Sequence, residues 1–167
     1  DPEAALRLRA DLKWAAGGGL LIAIGAAPLL PGEFATAASP IAILGSLMYL
    51  LVVLRMLRAW AERYGGKLLA AHGAATSLLA AAIGLCGLLL LGLLHGQGYL
   101  SGRASVVGFV VAFLLPLVSG AATHLLPVWL RPGVQGPWHA ELRSRLGRWS
   151  GVRGVALLLT GLLLALA

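Results

Sequence analysis

Charged residues are scarce in this sequence of 167 residues, and none lies in the middle of its long apolar runs. Asp, Glu, Lys and Arg make up 11% of the chain, against about 25% in an ordinary soluble domain. Proton pumps, ion-coupled transporters and voltage sensors need charged groups inside the membrane. The pattern therefore disfavours small-solute transport.

Cysteine is also scarce, since Cys86 is the only one in the sequence. One cysteine excludes an intrachain disulfide framework and any zinc or iron–sulfur site with several cysteine ligands. The sequence also lacks a Walker loop, a dinucleotide fingerprint, an H-E-x-x-H zinc motif and a nucleophile elbow. Whether the protein is an enzyme is therefore left open by its local motifs.

Apolar residues and glycine are abundant, at 59% hydrophobic residues and 23 glycines. A membrane-spanning helix needs roughly 20 mostly apolar residues. Five segments meet this requirement, at about 12–30, 40–60, 67–95, 104–130 and 152–167. The sequence thus predicts an all-α integral membrane helix bundle with about five transmembrane helices, forming a single domain over residues 1–167. We expect the second helix to begin after Pro40, and the fourth to be kinked by Pro116 and Pro127.

The connection between the last two spans is predicted to form an interfacial amphipathic helix at about 137–150. Pro137 suits the first turn of a helix, and apolar residues follow at helical spacing at Trp138, Leu142, Leu146 and Trp149. His139 and several arginines take the other faces, so we expect His139 to be solvated. The pattern is typical of a helix lying in the headgroup layer, and docking to a partner subunit is the alternative.

The distribution of cations predicts the orientation in the membrane. Twelve of the 13 Lys and Arg residues flank the N-terminus or the 2–3 and 4–5 connections, and only Arg103 lies on the opposite side. All five tryptophans fall at the cation-rich ends. We therefore expect a multi-pass protein of the bacterial cytoplasmic (inner) membrane with a cytoplasmic N-terminus. The orientation in the membrane then explains the net charge of +7, which does not indicate nucleic-acid binding.

Two histidines are predicted to lie inside the membrane at similar depth. His72 is five residues after Lys67, and His124 is seven residues before Arg131, on antiparallel neighbouring spans. Ionisable groups within a membrane indicate function by default. Two facing imidazoles are the axial ligands of a b-type haem, so haem b is the candidate cofactor and His72 and His124 its iron ligands. The alternative is that both histidines are hydrogen-bonded between helices and serve packing alone.

Small and cationic residues surround this pair in the predicted arrangement. Gly73 and Gly120 lie beside the two histidines and allow close approach of a flat macrocycle. Three arginines near the same membrane edge are candidates for binding haem propionates: Arg55, Arg58 and Arg131. For Arg55 and Arg58, snorkelling to the headgroups is the favoured interpretation, and facing inward to neutralise an anionic group is the alternative. His95, at the outer end of its span, is expected to be interfacial, with contact to a quinone as the alternative.

The stretch from Gly120 through His124 to Pro127 has the pattern glycine, three residues, histidine, two residues, proline. This pattern resembles a helix end in the haem–copper oxidase catalytic-subunit superfamily and in the NnrS haem- and copper-associated membrane proteins. The resemblance covers about 60 residues and implies that His124 and His72 bind haem or metal. The chain has neither an adjacent histidine pair nor a histidine–x–histidine motif, so the resemblance does not extend to a dinuclear oxygen-reducing centre.

The sequence therefore favours a membrane redox subunit, a b-type cytochrome holding one bis-histidine haem within a larger complex. Its expected partners are the lipid bilayer and other membrane subunits. The competing interpretation is a cofactor-free structural or assembly subunit of such a complex.

Overall fold

The computed structural model describes residues 2–25, 32–65, 74–95 and 102–167, and within them every regular element is a helix. The α-helices are α1 Pro2–Gly25, α2 Gly32–Tyr64, α3 Ala74–His95, α4 Gly102–Phe109, α5 Leu115–Leu130, α6 Pro137–Gly147 and α7 Ser150–Leu166. A π-helical turn, Val110–Leu114, joins α4 to α5 without a break. The all-α prediction is thus confirmed for the described residues.

Four segments of the described residues are long and apolar enough to cross a membrane, by length and composition. They are Pro40–Glu62, Ala75–Leu93, Ala104–Leu130 and Pro137–Leu166. The predicted span at 12–30 is not among them, because residues 26–30 lie outside the described residues and the last 18 residues of α1 include Arg9, Asp11 and Lys13. The predicted count of five is therefore replaced by four in this part of the chain.

The start of the second helix also differs from the prediction. The helix begins at Gly32, so Pro40 lies inside α2 instead of preceding it. A proline removes one backbone donor, but an apolar environment offers no water to satisfy the groups that a broken helix would expose. Continuing the helix through Pro40 leaves fewer backbone groups unpaired than ending it there.

The predicted surface helix is present as a separate element. α6 begins with Pro137 in its first turn, and a turn at Arg148 and Trp149 separates it from α7. The apolar segment Pro137–Leu166 therefore contains both the predicted surface helix and the predicted last span. Whether α6 lies in the headgroup layer stays a prediction.

The described residues pack as two compact units, and the first comprises residues 1–56 and 89–99. In it, α1 and α2 approach closely where two buried glycines meet. A Cβ at Gly45 would lie 2.6 Å from the Gly18 carbonyl oxygen and 2.7 Å from the backbone nitrogen of Ile22. An ion pair of 3.2 Å joins Arg55 to Asp11. The charged part of α1 therefore lies level with the C-terminal half of α2.

The second unit comprises residues 57–88 and 100–167, and its helices meet at Ala112, which is 0% exposed. A Cβ at Gly84 of α3 would lie 2.1 Å from the Ala112 carbonyl oxygen. A Cβ at Gly161 of α7 would lie 2.3 Å from the Ala112 backbone nitrogen. Two helices thus contact the backbone of Ala112 directly, at positions where no side chain fits.

The π-helical turn contains Ala112, and the proline that follows it explains part of the geometry. The N–H of Leu115 donates to the carbonyl of Val110, five residues earlier. Pro116 has no N–H to donate to the carbonyl four residues earlier, which is that of Ala112. The sequence predicts a kink around Gly120 and His124 from Pro116 and Pro127. The structure has a π-turn on the residues before Pro116, and α5 continues as a helix through Pro127 to Leu130.

We expect Gly84→Ala to destabilise the protein by about 1–3 kcal/mol, because the new methyl group would collide with the Ala112 backbone. Gly92→Ala in the same helix is the matched control, since a Cβ there meets no described atom within 4 Å. That change should be neutral or stabilise by up to about 1 kcal/mol. Thermal unfolding of both variants in detergent micelles measures the difference. Equal melting temperatures would contradict the close contact at Ala112.

Candidate functional site

His124 lies on α5, six residues before the helix ends at Leu130, or about 9 Å along the axis at 1.5 Å per residue. The helix buries one face, formed by Pro116, Gly120, Thr123 and Pro127. His124 lies about 70° around the helix from the centre of that face at 100° per residue. Its side chain is exposed. The imidazole therefore borders the packed face of α5 and points away from the chain's own core.

The imidazole of His124 has no hydrogen-bond or ion-pair partner among the described residues. Thr123, the preceding residue in the chain, is a candidate partner if His124 serves packing alone. The Thr123 hydroxyl instead donates to the Ser119 carbonyl, at 2.8 Å. A polar ring in an apolar helix without a partner is unfavourable, so His124 is available to a group outside the described part of the chain.

The second predicted ligand, His72, and its neighbour Gly73 lie outside the described residues. The pairing of His72 with His124 therefore stays a prediction. Gly120, predicted to sit beside the haem, is buried one turn before His124. No group of three or more His, Cys, Asp or Glu side chains able to hold a metal ion occurs in the described ranges. Because a haem iron takes only two axial ligands from the protein, that finding does not bear on a haem.

The three arginines predicted to bind propionates all have partners within the chain. Arg55 pairs with Asp11 at 3.2 Å, and Arg58 pairs with Glu62 one turn later in α2 at 2.8 Å. The guanidinium of Arg131 lies 4.4 Å from the centre of the Trp138 ring. Arg55 thus neutralises an anionic group, as one interpretation predicted, and that group is a carboxylate of the chain itself. Binding a propionate would require these arginines to exchange or share their partners.

His139 is the functional group that the sequence interpretation placed wrongly. It was expected to be solvated, but it is only 6% exposed. Its Nδ1 accepts a hydrogen bond from the Gly136 N–H at 3.1 Å. Its Nε2 therefore carries the proton and donates to the Arg131 carbonyl at 2.9 Å. One side chain holds both ends of the loop 131–136.

Further contacts attach this loop to α6. The Arg143 guanidinium donates to the Gln135 side-chain oxygen, and the Trp138 ring lies edge-on to His139 with centroids 5.1 Å apart. The Gly136 carbonyl accepts from the His139 N–H at 3.0 Å. A polar residue three positions after a helix cap commonly bonds back to the cap, and this signal could have identified His139 from the sequence.

We expect His139→Ala to loosen the loop and the start of α6, because it leaves the Gly136 N–H and the Arg131 carbonyl without their partner. The cost should be about 1–3 kcal/mol. His139→Gln should recover part of it, since a glutamine at this position can still accept from the cap N–H. Amide hydrogen exchange of residues 131–140 in detergent measures the effect. Unchanged exchange in the alanine variant would rule out the double hydrogen bond.

Comparison of the chain with protein-family models, with curated proteins and with solved structures finds no match. The resemblance to the haem–copper oxidase and NnrS groups therefore stays a prediction from the Gly120–Pro127 pattern. Any function has to be argued from the residues of this chain. The residue that the structure singles out for that purpose is His124, with Gly120 buried on the same helix.

Proposed function

We propose that the protein is a multi-pass membrane redox subunit, a b-type cytochrome that holds one haem through His124. The observation that carries this proposal is the exposed His124 imidazole, without a partner among the described residues, in an apolar helix. A histidine in such a place serves a ligand, a cofactor or another subunit. His72, at a similar predicted depth, is the proposed second ligand.

The described residues suit one side of such a haem. His124 supplies one imidazole nitrogen for the iron, whereas Gly120 lies on the face of α5 that is buried in the chain's own packing. A haem with two imidazole ligands supplies one-electron transfer when it is bound. The chain's own contribution would be to hold the ligands, exclude water and set the polarity around them. The proposed partners in electron exchange are a quinone near His95 and further membrane subunits.

The alternative is a cofactor-free structural or assembly subunit, and the close packing at Ala112 is the observation in its favour. Gly84 and Gly161 both contact the Ala112 backbone, so the second unit has an interior filled by its own helices there. Stability of this kind needs no cofactor. In that case a helix of a partner subunit would provide the hydrogen bond for His124.

The proposed location is the bacterial inner membrane with the N-terminus in the cytoplasm. The cation count supports this orientation, and so does the Arg55–Asp11 ion pair, which places the cation-bearing part of α1 level with that of α2. Because the charged ends of α1 and α2 are level, both ends can lie on the same side of a membrane.

Absorption spectra of the purified protein, oxidised and then reduced, test the haem proposal. We expect sharp reduced-state bands of a low-spin iron, and His124→Ala should remove them or convert them to a high-spin spectrum. His95→Ala is the control and should leave the spectrum unchanged. A spectrum that survives His72→Ala but not His124→Ala would assign the second ligand to a partner subunit. Protein purified with its partners and free of haem would favour the structural alternative.

Cysteine labelling tests the orientation, in a background where Cys86 is replaced by alanine. Val134, 97% exposed in the loop before α6, should be labelled as Val134→Cys only from the cytoplasm. Ser101 lies outside the described residues, and Ser101→Cys should be labelled only from the outer side. The two cysteines should be labelled from opposite sides of the membrane, so each is a positive control for the reagent that does not label the other. Labelling of both sites from the same side would disprove the proposed topology.

A further inference from the structure

Residues 131–153 run from the end of α5 through the first turn of α7 and are strongly basic. They contain five arginines and a single acidic residue, Glu141. Because α5 ends and α7 begins here, the segment lies at one end of two apolar helices. The arginines are Arg131, Arg143, Arg145, Arg148 and Arg153.

The partners of these arginines separate them into two groups. Arg145 is exposed and paired with Glu141 at 2.5 Å, and Arg131 stacks on Trp138. Arg148 and Arg153 have no side-chain acceptor among the described residues. Arg143 is bonded to the Gln135 side chain. The Nε of Arg153 is buried and makes no hydrogen bond among the described residues. A buried guanidinium donor without an acceptor is costly, which favours an anionic acceptor at Arg153.

The surface next to the unpaired arginines is apolar and aromatic. Trp149, in the turn between α6 and α7, is 65% exposed. From there an exposed stripe continues along one face of α7, with residues three to four positions apart: Val152, Val155, Leu159 and Leu163. A cationic head region followed by an apolar stripe matches a molecule with an anionic head and hydrocarbon chains.

We propose that Arg148 and Arg153 bind the phosphate of an anionic phospholipid, with its acyl chains lying along the exposed stripe of α7. Phosphate oxygens are the acceptors that planar guanidinium groups match best. The exposed Trp149 ring would lie at the level of the headgroup and glycerol. The stripe favours a lipid over free phosphate, because only the lipid covers both the guanidinium groups and Val152. This binding surface is independent of the proposed haem.

Titration of the detergent-solubilised protein with fluorescent phosphatidylglycerol tests the proposal, with phosphatidylcholine of the same chains as reference. We expect tighter binding of phosphatidylglycerol, weakened about fivefold by Arg153→Gln, which corresponds to about 1 kcal/mol for one arginine. Arg148→Gln, at an exposed turn position, should weaken binding similarly and provides the test if the first variant fails to fold. Arg145→Gln removes the same charge from an arginine already paired with Glu141, and it should leave the affinity unchanged.

The other outcomes would overturn the proposal. Equal affinity for the two lipids would show that the arginines do not select an anionic head. An equal loss in Arg145→Gln and Arg153→Gln would show general attraction by net charge without a defined site. Displacement of phosphatidylglycerol by inorganic phosphate at matching concentration would show a site for a free anion. None of these measurements depends on the haem content of the protein. A negative result for lipid binding therefore does not bear on the haem proposal, which is tested by the absorption spectra.

Discussion

The second unit depends on one contact, the approach of two helices to the backbone of Ala112. Gly84 contacts its carbonyl and Gly161 its nitrogen, each at a distance that excludes a side chain. Within a membrane the hydrophobic effect does not hold helices together, so close van der Waals packing has to do so. The π-turn at Val110–Leu114 and the proline after it place the Ala112 backbone between the two glycines.

His139 and His124 show that the role of a histidine depends on its position in the structure. His139 is buried, and both its ring nitrogens are used to hold a loop at the end of α5. His124 lies in the apolar part of the same helix, and neither nitrogen has a partner among the described residues. The first is explained by the local structure alone. The second has no partner that the described residues explain, and this contrast is why His124 carries the functional proposal.

The packing of the chain and a cofactor at His124 are compatible, because they use different faces of α5. The face with Pro116 and Pro127 is buried, whereas His124 borders it and is exposed. A subunit can therefore have a tightly packed interior and still present one imidazole at its edge. The proposed lipid site, with Arg148 in the turn before α7 and Arg153 in its first turn, involves neither the packed face of α5 nor His124.

Hydrophobic runs and helix signals by themselves determined most of the secondary structure. Long apolar segments can satisfy their backbone only as helices, and Pro137 marked the start of α6 because a first-turn proline loses no hydrogen bond. The same reasoning placed the start of α2 wrongly, after Pro40 instead of at Gly32, since a local rule about proline does not include the hydrogen bonds that are lost when the helix ends there.

The contacts between helices could be decided only by the tertiary structure. In the sequence Gly84 and Gly92 are both small residues of one apolar run, yet Gly84 contacts Ala112 and a Cβ at Gly92 would meet no described atom within 4 Å. Helical periodicity places His124 at the border of the buried face of α5 and does not decide whether it is buried or exposed. The partners of His139 lie in a loop, and helical periodicity does not predict the path of a loop. The physical reason is that periodicity specifies the faces of one helix, whereas a contact depends on the register and crossing of two.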